Sequence, residues 1–129
     1  MVIIKFSETG NKEWAVEAGA PSNDEVPGRL VQGREGSLVV TGHTKNNLAG
    51  LNDIFVFKLN EQGHKEWSRI IGGSGSERAF AATRVEPSGY VLCGEVRAKG
   101  EIFKDALLVK ISEEGLTEWA VRIGDLGAD

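Results

Sequence analysis

The chain has 129 residues, a formal net charge of -4 and a single cysteine. Such a length suits one domain that buries roughly two-thirds of the surface exposed by its unfolded chain. Lysine and arginine are scattered, and no apolar run approaches the roughly 20 residues of a membrane helix, so we expect neither nucleic-acid nor membrane partners. One cysteine excludes an intrachain disulfide and a cysteine-based metal cluster.

A ten-residue pattern occurs three times, at Lys5–Trp14, Lys58–Trp67 and Lys110–Trp119. Lys, Gly, Glu and Trp keep the same spacing in every copy. The first and second tryptophans are 53 residues apart, and the second and third are 52 residues apart. A repeat of this length predicts a modular β architecture, so we expect an all-β fold in one domain over residues 1–129.

In chain order, the predicted strands form one incomplete unit and two complete units. Each complete unit has four strands, named a to d. Residues 2–24 supply only strands c and d, whereas residues 25–76 and 77–125 each supply all four. In the last unit we predict strands at 79–85, 90–94, 106–111 and 118–123. Turn-forming residues separate the segments, and no apolar period of 3.6 residues is sustained, so we expect little helix.

The four strands of a unit differ in character. Strand a is built around small residues such as Gly28 and Ala79, which suit a crowded position. Strands b and c are continuous apolar runs, as in 38–40 and 54–57, which predicts burial on both faces. Strand d alternates, as in 118–123, and should be half exposed. This order predicts the blade of a β-propeller, with a β-sandwich or a short β-solenoid as alternatives.

The turn between strands c and d allows a register to be predicted. Glu61-Gln62-Gly63 and its two counterparts fit a three-residue loop with glycine in the left-handed region. Counting outward from this loop places the lysine of strand c opposite the glutamate of strand d in each copy. It also places the tryptophan of strand d opposite the residue that precedes this lysine. The predicted pairs are Lys5 with Glu13, Lys58 with Glu66, Lys110 with Glu118, and Trp14, Trp67 and Trp119 with Ile4, Phe57 and Val109. The tryptophans should anchor packing between blades.

The segment 53–67, followed by Ile71-Gly-Gly-Ser-Gly-Ser-Glu77, resembles β-propeller repeats of the seven-bladed type from bacteria and archaea. The likeness covers nearly the whole chain. It implies a β-propeller and a secreted or surface-attached protein, but no particular activity. The Glu-Trp ending is also similar to the repeat of quinoprotein propellers. Because the chain lacks an adjacent cysteine pair and a calcium-binding carboxylate set, quinone chemistry is not carried over and we expect no cofactor.

About two and a half blades cannot close a ring, since propellers have about four to eight. The c strand of residues 2–24 should present an unpaired inner edge, and an apolar edge favours further strand pairing. We therefore expect either a homo-oligomer, with a symmetric dimer first, or the remainder of a longer propeller to complete the structure.

Few residues suggest catalytic chemistry. His43 and His64 do not recur in the repeat, so we expect no metal site and no enzyme. Cys93 lies in an apolar b strand and is expected to be a buried structural thiol. Asp53 and Asp105 recur at the start of strand c, where turn capping is the favoured interpretation.

The loops from b to c and from d to a vary between copies and are the best places for a ligand. The candidate binding residues are His43, Lys45, Asn46, Asn47, Arg97, Lys99 and Lys104. The favoured function is a non-catalytic propeller scaffold that assembles through strand edges and presents loops to a protein or carbohydrate partner. The alternative is a fragment of a secreted propeller enzyme that acts on glycans.

Overall fold

The computed structural model describes residues 1–19, 24–46 and 51–124, which form an all-β fold of three antiparallel sheets. A 3-10 helix occupies Arg34–Gly36, and no helix in these ranges is long and apolar enough to cross a membrane. The strands are β1 Val2–Phe6, β2 Lys12–Glu17, β3 Asp24–Gln32, β4 Leu38–Asn46, β5 Leu51–Leu59, β6 Lys65–Ile71, β7 Ser76–Arg84, β8 Tyr90–Arg97, β9 Asp105–Ile111 and β10 Thr117–Ile123.

Each sheet is a meander in which consecutive strands are neighbours. The first sheet contains β1 and β2, the second β3 to β6 and the third β7 to β10. The two four-stranded sheets fit the predicted blades, and all four segments predicted for the last unit are strands. Within the described ranges β1 pairs only with β2, so its other edge is unpaired.

The c-to-d hairpins have the predicted left-handed glycines, with φ of 82° to 85° at Gly10, Gly63 and Gly115. The predicted register, however, is wrong by one residue. Lys58 lies opposite Trp67, and Leu59 lies opposite Lys65, so Glu66 is left without a partner in a β-bulge. The first and third sheets contain the same bulge. A bulge places two residues of one strand opposite one of its partner, which shifts all the pairs beyond it.

All three lysine–glutamate ion pairs are nevertheless present. The distance from lysine Nζ to glutamate Oε2 is 3.0 Å for Lys5 and Glu13, 3.4 Å for Lys58 and Glu66, and 3.0 Å for Lys110 and Glu118. A long lysine side chain can reach a glutamate in the bulge, so the charges meet although their Cα atoms are not directly opposite.

Two apolar clusters hold consecutive sheets together. In one, Ile3 of the first sheet is buried with Phe55, Phe57 and Leu59 of the second. The larger cluster joins the second and third sheets through buried residues of β4, β5, β7, β8 and β9. Because it lies between two neighbouring sheets, β5 is buried on both faces, as predicted.

Strand β9 differs from β5, because Leu107, Val109 and Ile111 are buried while Ala106 is exposed and Leu108 is partly exposed. Every residue of β10 is exposed. The expectations of a doubly buried c strand and a half-exposed d strand are thus wrong for the third sheet. The described residues place no sheet against this face.

Small residues in strand a serve close packing between sheets. A Cβ atom at Gly28 would lie 2.6 Å from the carbonyl oxygen of Ala79 in the next sheet, and Ala79 itself is fully buried. A side chain at Gly28 would push the second and third sheets apart. Ala81, in contrast, is exposed.

Glu113 links the second and third sheets through several polar contacts. Its carboxylate accepts hydrogen bonds from the Tyr90 hydroxyl and the Gly89 N–H, both at 3.2 Å. Glu113 Oε2 also lies 3.5 Å from Lys58 Nζ, and Glu113 Oε1 lies 3.6 Å from Arg34 Nε. Lys58 belongs to β5 of the second sheet, and Arg34 lies between β3 and β4 of the same sheet. Burial alone would raise the pKa of Glu113, but the hydrogen bonds and the Lys58 charge outweigh it and lower the pKa.

Tyr90 is the only tyrosine, so its ionisation can be followed directly. Burial, followed by the negative charge of Glu113, raises the pKa of Tyr90 from 10.0 to about 12. We therefore expect phenolate absorbance of the folded protein to titrate near pH 12, and that of the denatured chain near 10. Because the folded state holds the proton more tightly, stability should fall as pH rises between these values. Phenolate formation near pH 10 in the folded protein would contradict this contact.

Candidate binding surface

The end of the sheets where β4 leads into β5, β6 into β7 and β8 into β9 gathers polar side chains from the second and third sheets. These are the b-to-c and d-to-a connections that the sequence indicates as ligand sites. His43 lies within β4, and Arg78 and Glu95 face each other across β7 and β8. Lys104 immediately precedes β9. We call His43, Arg78, Glu95 and Lys104 the polar cluster.

Arg78 is the centre of the polar cluster. Its NH1 group lies 3.7 Å from Glu95 Oε1, which also pairs with Lys104 Nζ at 2.7 Å. With the Asn52 amide oriented so that its oxygen faces the donors, this oxygen accepts from Arg78 at 3.1 Å and from Ser76 at 3.0 Å. Glu95 therefore has two cationic partners, and Arg78 is held between the two sheets.

His43 packs edge-on against Phe80 of the third sheet, with 6.4 Å between ring centroids and 78° between ring planes. Its Nδ1 atom is buried and has no hydrogen-bond partner within the described residues. Burial, and then the positive charge of Arg78, lowers the pKa of His43, while Glu95 acts in the opposite direction. The imidazole is consequently neutral at pH 7.

The loop between β8 and β9 presents two apolar side chains to solvent. Ile102 is 84% exposed and Phe103 is 69% exposed, the largest exposed fractions among the large apolar side chains of the described residues. Lys99 and Lys104, which flank the pair in sequence, are also exposed. Glu101 directly precedes the pair and is paired with Arg122, and Lys104 is paired with Glu95, so the loop presents an apolar tip within a surface of mixed charge.

The remaining predicted residues are dispersed. Lys45, near the end of β4, and Arg97, the last residue of β8, are exposed. Asn46 ends β4, and Asn47 lies outside the described residues. The structure thus brings His43 and Lys104 into one cluster, whereas within the described residues no hydrogen bond or ion pair joins Lys45, Arg97 or Lys99 to it.

Cys93 is exposed, so the expectation of a buried thiol is wrong. It pairs with Leu108 and Ala81 on the uncovered face of the third sheet. An apolar strand predicts burial only if a neighbouring layer covers it, and the described residues place none here.

The recurring aspartates contact residues at the end of strand d. Asp105 forms an ion pair with Arg122 of β10. A Cβ atom at Gly72 would overlap the Asp53 carboxylate, and one at Gly124 would lie 2.9 Å from Asp105. Each aspartate therefore packs against the glycine that follows the d strand. The connection that Asp53 was predicted to cap includes residues 47–50, outside the described residues, and turn capping stays a prediction.

Sequence reasoning missed Arg78, Glu95 and Phe80 as site residues. The available signal was positional, because Glu95 occupies in the third unit the place that His43 occupies in the second. Pairing of β7 with β8 then brings Arg78 opposite Glu95. Neither relation is visible from residue type alone.

A separate cavity of about 630 Å³ lies between the first and second sheets. Phe55, Phe57 and Leu59 line it, together with His64 and Arg69. Among the predicted binding residues whose side chains the structure describes, none lines this cavity. The cavity is part of the interface between the first and second sheets and is separate from the polar cluster.

The pKa of His43 provides a test of the polar cluster. In a His64→Gln variant His43 is the only histidine, and its proton resonances should titrate below pH 6.5. Since the unfolded chain takes up this proton first, stability should fall as pH decreases from 6.5 through the folded pKa. Arg78→Gln removes one source of the shift and should move the pKa upward. A His43 pKa at or above 6.5 in the His64→Gln variant would contradict the burial of His43 beside Arg78.

Comparison with protein-family models finds no match, and comparison with curated protein sequences finds no significant match. Among residues 1–19, 24–46 and 51–124, no group of three or more His, Cys, Asp or Glu side chains is arranged to hold a metal ion.

Proposed function

We propose that this chain is part of a β-propeller that acts as a non-catalytic scaffold and binds a protein partner through its b-to-c and d-to-a loops. The architecture rests on the successive antiparallel meanders, each stacked on the next by the same type of tryptophan contact. Assembly uses the unpaired β1 edge and the uncovered sheet faces, which favour association with further strands or sheets.

One observation carries the binding proposal, namely the exposure of Ile102 and Phe103 in the β8–β9 loop between two lysines. Large apolar side chains at a solvent-exposed tip are typical of protein contacts, where they enter pockets on the partner. Lys99, an exposed residue of the same loop, would face an acidic group on that partner. A protein is therefore favoured over a carbohydrate, which would present no apolar pocket for these two side chains.

A phage-displayed random peptide library provides a test without a known ligand. We expect panning to enrich peptides that combine an aromatic or aliphatic residue with acidic neighbours. The double substitution Ile102→Ser and Phe103→Ser should abolish their binding. Leu116→Ser, at another exposed apolar residue in a c-to-d hairpin, should not affect it.

Absence of loop-dependent peptides would overturn the proposal. Binding to a glycan array that is lost in the double variant would also overturn it, in favour of a carbohydrate ligand.

A further inference from the structure

The two ends of the described stack present uncovered apolar faces. Val2, Ile4 and Phe6 of β1 point away from the second sheet and are 59%, 48% and 58% exposed. We call these residues, with the adjoining turn at Gly10, the head face. At the other end Trp119, Val121 and Ile123 of β10 are 43%, 43% and 55% exposed. These three residues form the tail face.

The head face corresponds to surfaces that are buried elsewhere in the same chain. The repeat aligns Val2, Ile4 and Phe6 with Phe55, Phe57 and Leu59 of the second sheet and with Leu107, Val109 and Ile111 of the third. These six counterparts are at most 9% exposed, because the preceding sheet covers them. The head face is therefore a surface of the kind that receives a preceding sheet.

The tail face corresponds to the surface that provides this cover. Trp14 and Val16 of the first sheet pack on the cluster containing Phe55, Phe57 and Leu59. Trp67 and Ile71 of the second sheet pack in the same way on the cluster of the third. Trp119, Val121 and Ile123 hold the equivalent positions of the third sheet.

Each internal joint contains the same hydrogen bond. Trp14 Nε1 donates to the carbonyl oxygen of Glu61 at 2.9 Å, and Trp67 Nε1 donates to that of Glu113 at 2.9 Å. The indole covers the turn glycine that follows, since a Cβ atom at Gly63 or Gly115 would lie 2.7 Å from the ring. Tryptophan, glycine and carbonyl group thus form one repeated joint.

At each end of the described stack, one half of such a joint has no counterpart within the described residues. No atom lies within 4 Å of the position that a Cβ atom would take at Gly10, the counterpart of Gly63 and Gly115. In the repeat, the carbonyl group of Glu8 corresponds to the carbonyl groups of Glu61 and Glu113. Trp119 is the remaining indole, and its Nε1 makes no hydrogen bond within the described residues.

We propose that the tail face of one copy of this chain stacks on the head face of a second copy. The Trp119 indole covers Gly10 of the next copy and donates its N–H to the Glu8 carbonyl oxygen there. Charge supports the same arrangement, because Lys58 lies 3.5 Å from Glu113 across an internal joint and the corresponding pair between copies is Lys110 with Glu8. This inference deepens the assembly part of the proposed function and rests on it, but it is independent of the loop ligand.

The joint is heterologous, since the two copies contribute different surfaces. It differs from the symmetric dimer expected from the sequence, in which both copies would contribute the same surface. A head-to-tail contact forms a ring if the rotation closes and an open chain if it does not. Every copy retains one head face and one tail face, so the two can be disabled separately.

Two single variants test this orientation. Trp119→Ala disables the tail face and leaves the head face, whereas Ile4→Lys disables the head face and leaves the tail face. Sedimentation velocity should show that the unmodified chain associates, and that the dissociation constant for self-association rises at least roughly tenfold in each variant alone. An equimolar mixture should form a 1:1 heterodimer, because one functional head and one functional tail remain.

The mixture also shows that both variants are folded, because each must provide an intact complementary face. Phe6→Ser provides a second head variant should Ile4→Lys fail to fold. Ile102→Lys, which places the same charge on the binding loop, should leave self-association unchanged.

The outcomes separate the possible failures. If either single variant still dimerises as strongly as the unmodified chain, the proposed contact between tail face and head face is wrong. Assembly through another strand edge would still agree with that result. A monomeric unmodified chain would overturn both the joint and the assembly part of the proposed function. Loss of peptide binding in the loop variant, with association intact, concerns only the ligand.

Discussion

Replacing Trp67 by alanine is expected to lower the free energy of unfolding by about 2 to 4 kcal/mol, at or just below the usual range for a core aromatic residue. The indole is partly buried against the cluster shared by the second and third sheets. Truncation removes its packing on Gly115 and its hydrogen bond to the Glu113 carbonyl oxygen. Urea denaturation of dilute protein, followed by far-ultraviolet circular dichroism, measures the change.

The repeat provides a matched control for this substitution. Trp119 occupies the same position in the third sheet but lies on the uncovered tail face. Trp119→Ala should therefore change the stability of dilute protein by no more than about 0.5 kcal/mol. Equal losses for Trp67→Ala and Trp119→Ala would show that the indole acts within its own hairpin, and would contradict a joint between sheets.

Substitution of Glu113 by alanine should cost about 2 to 3 kcal/mol, because it leaves several buried or partly buried groups without a partner. The Tyr90 hydroxyl and the Gly89 N–H lose their acceptor, and Lys58 loses one of its two anionic partners among the described residues and retains Glu66. The same denaturation measurement applies. Glu114→Ala is the control, since that side chain is exposed and should change stability by at most about 0.5 kcal/mol.

The pH dependence of the Glu113 contribution has a definite sign. The pKa of Glu113 is lowered in the folded protein, so its stabilisation is present above the ordinary value of 4.5 and is lost as pH falls through the folded pKa. The difference in stability between the unmodified chain and Glu113→Gln should therefore shrink on acidification below about pH 4.5. A difference that stays constant across this range would contradict ionic stabilisation by Glu113.

The c-to-d hairpin is the part of the fold that the sequence predicts best. Gly63 marks the left-handed turn position, and the lysine and glutamate on either side form the expected ion pair because these relations are local. The register is missed because Glu66 enters a bulge, and one unpaired residue leaves no mark in the pattern of so short a strand. Strand identity therefore follows from sequence pattern more readily than pairing does.

Burial and site composition depend on contacts that are distant in the sequence. Cys93 lies in an apolar strand yet is exposed, because burial requires a second layer and not only an apolar strand. Arg78 and Glu95 meet through pairing of β7 with β8, and His43 reaches them from another sheet. His43 and Lys104, two residues that the sequence indicates as candidates, belong to the same polar cluster. Arg78, the residue at the centre of the cluster, could be identified only from the pairing of β7 with β8.

The most direct test of the stacked-sheet account is hydrogen exchange of the three tryptophan indole N–H groups, measured by NMR with each resonance assigned by single substitution. In dilute protein, the Trp14 and Trp67 indoles should be protected because they donate to Glu61 and Glu113. The Trp119 indole should exchange rapidly when dilute and become protected as concentration rises and copies stack. Equal protection of all three indoles in dilute monomer, or rapid exchange of Trp67, would contradict the account.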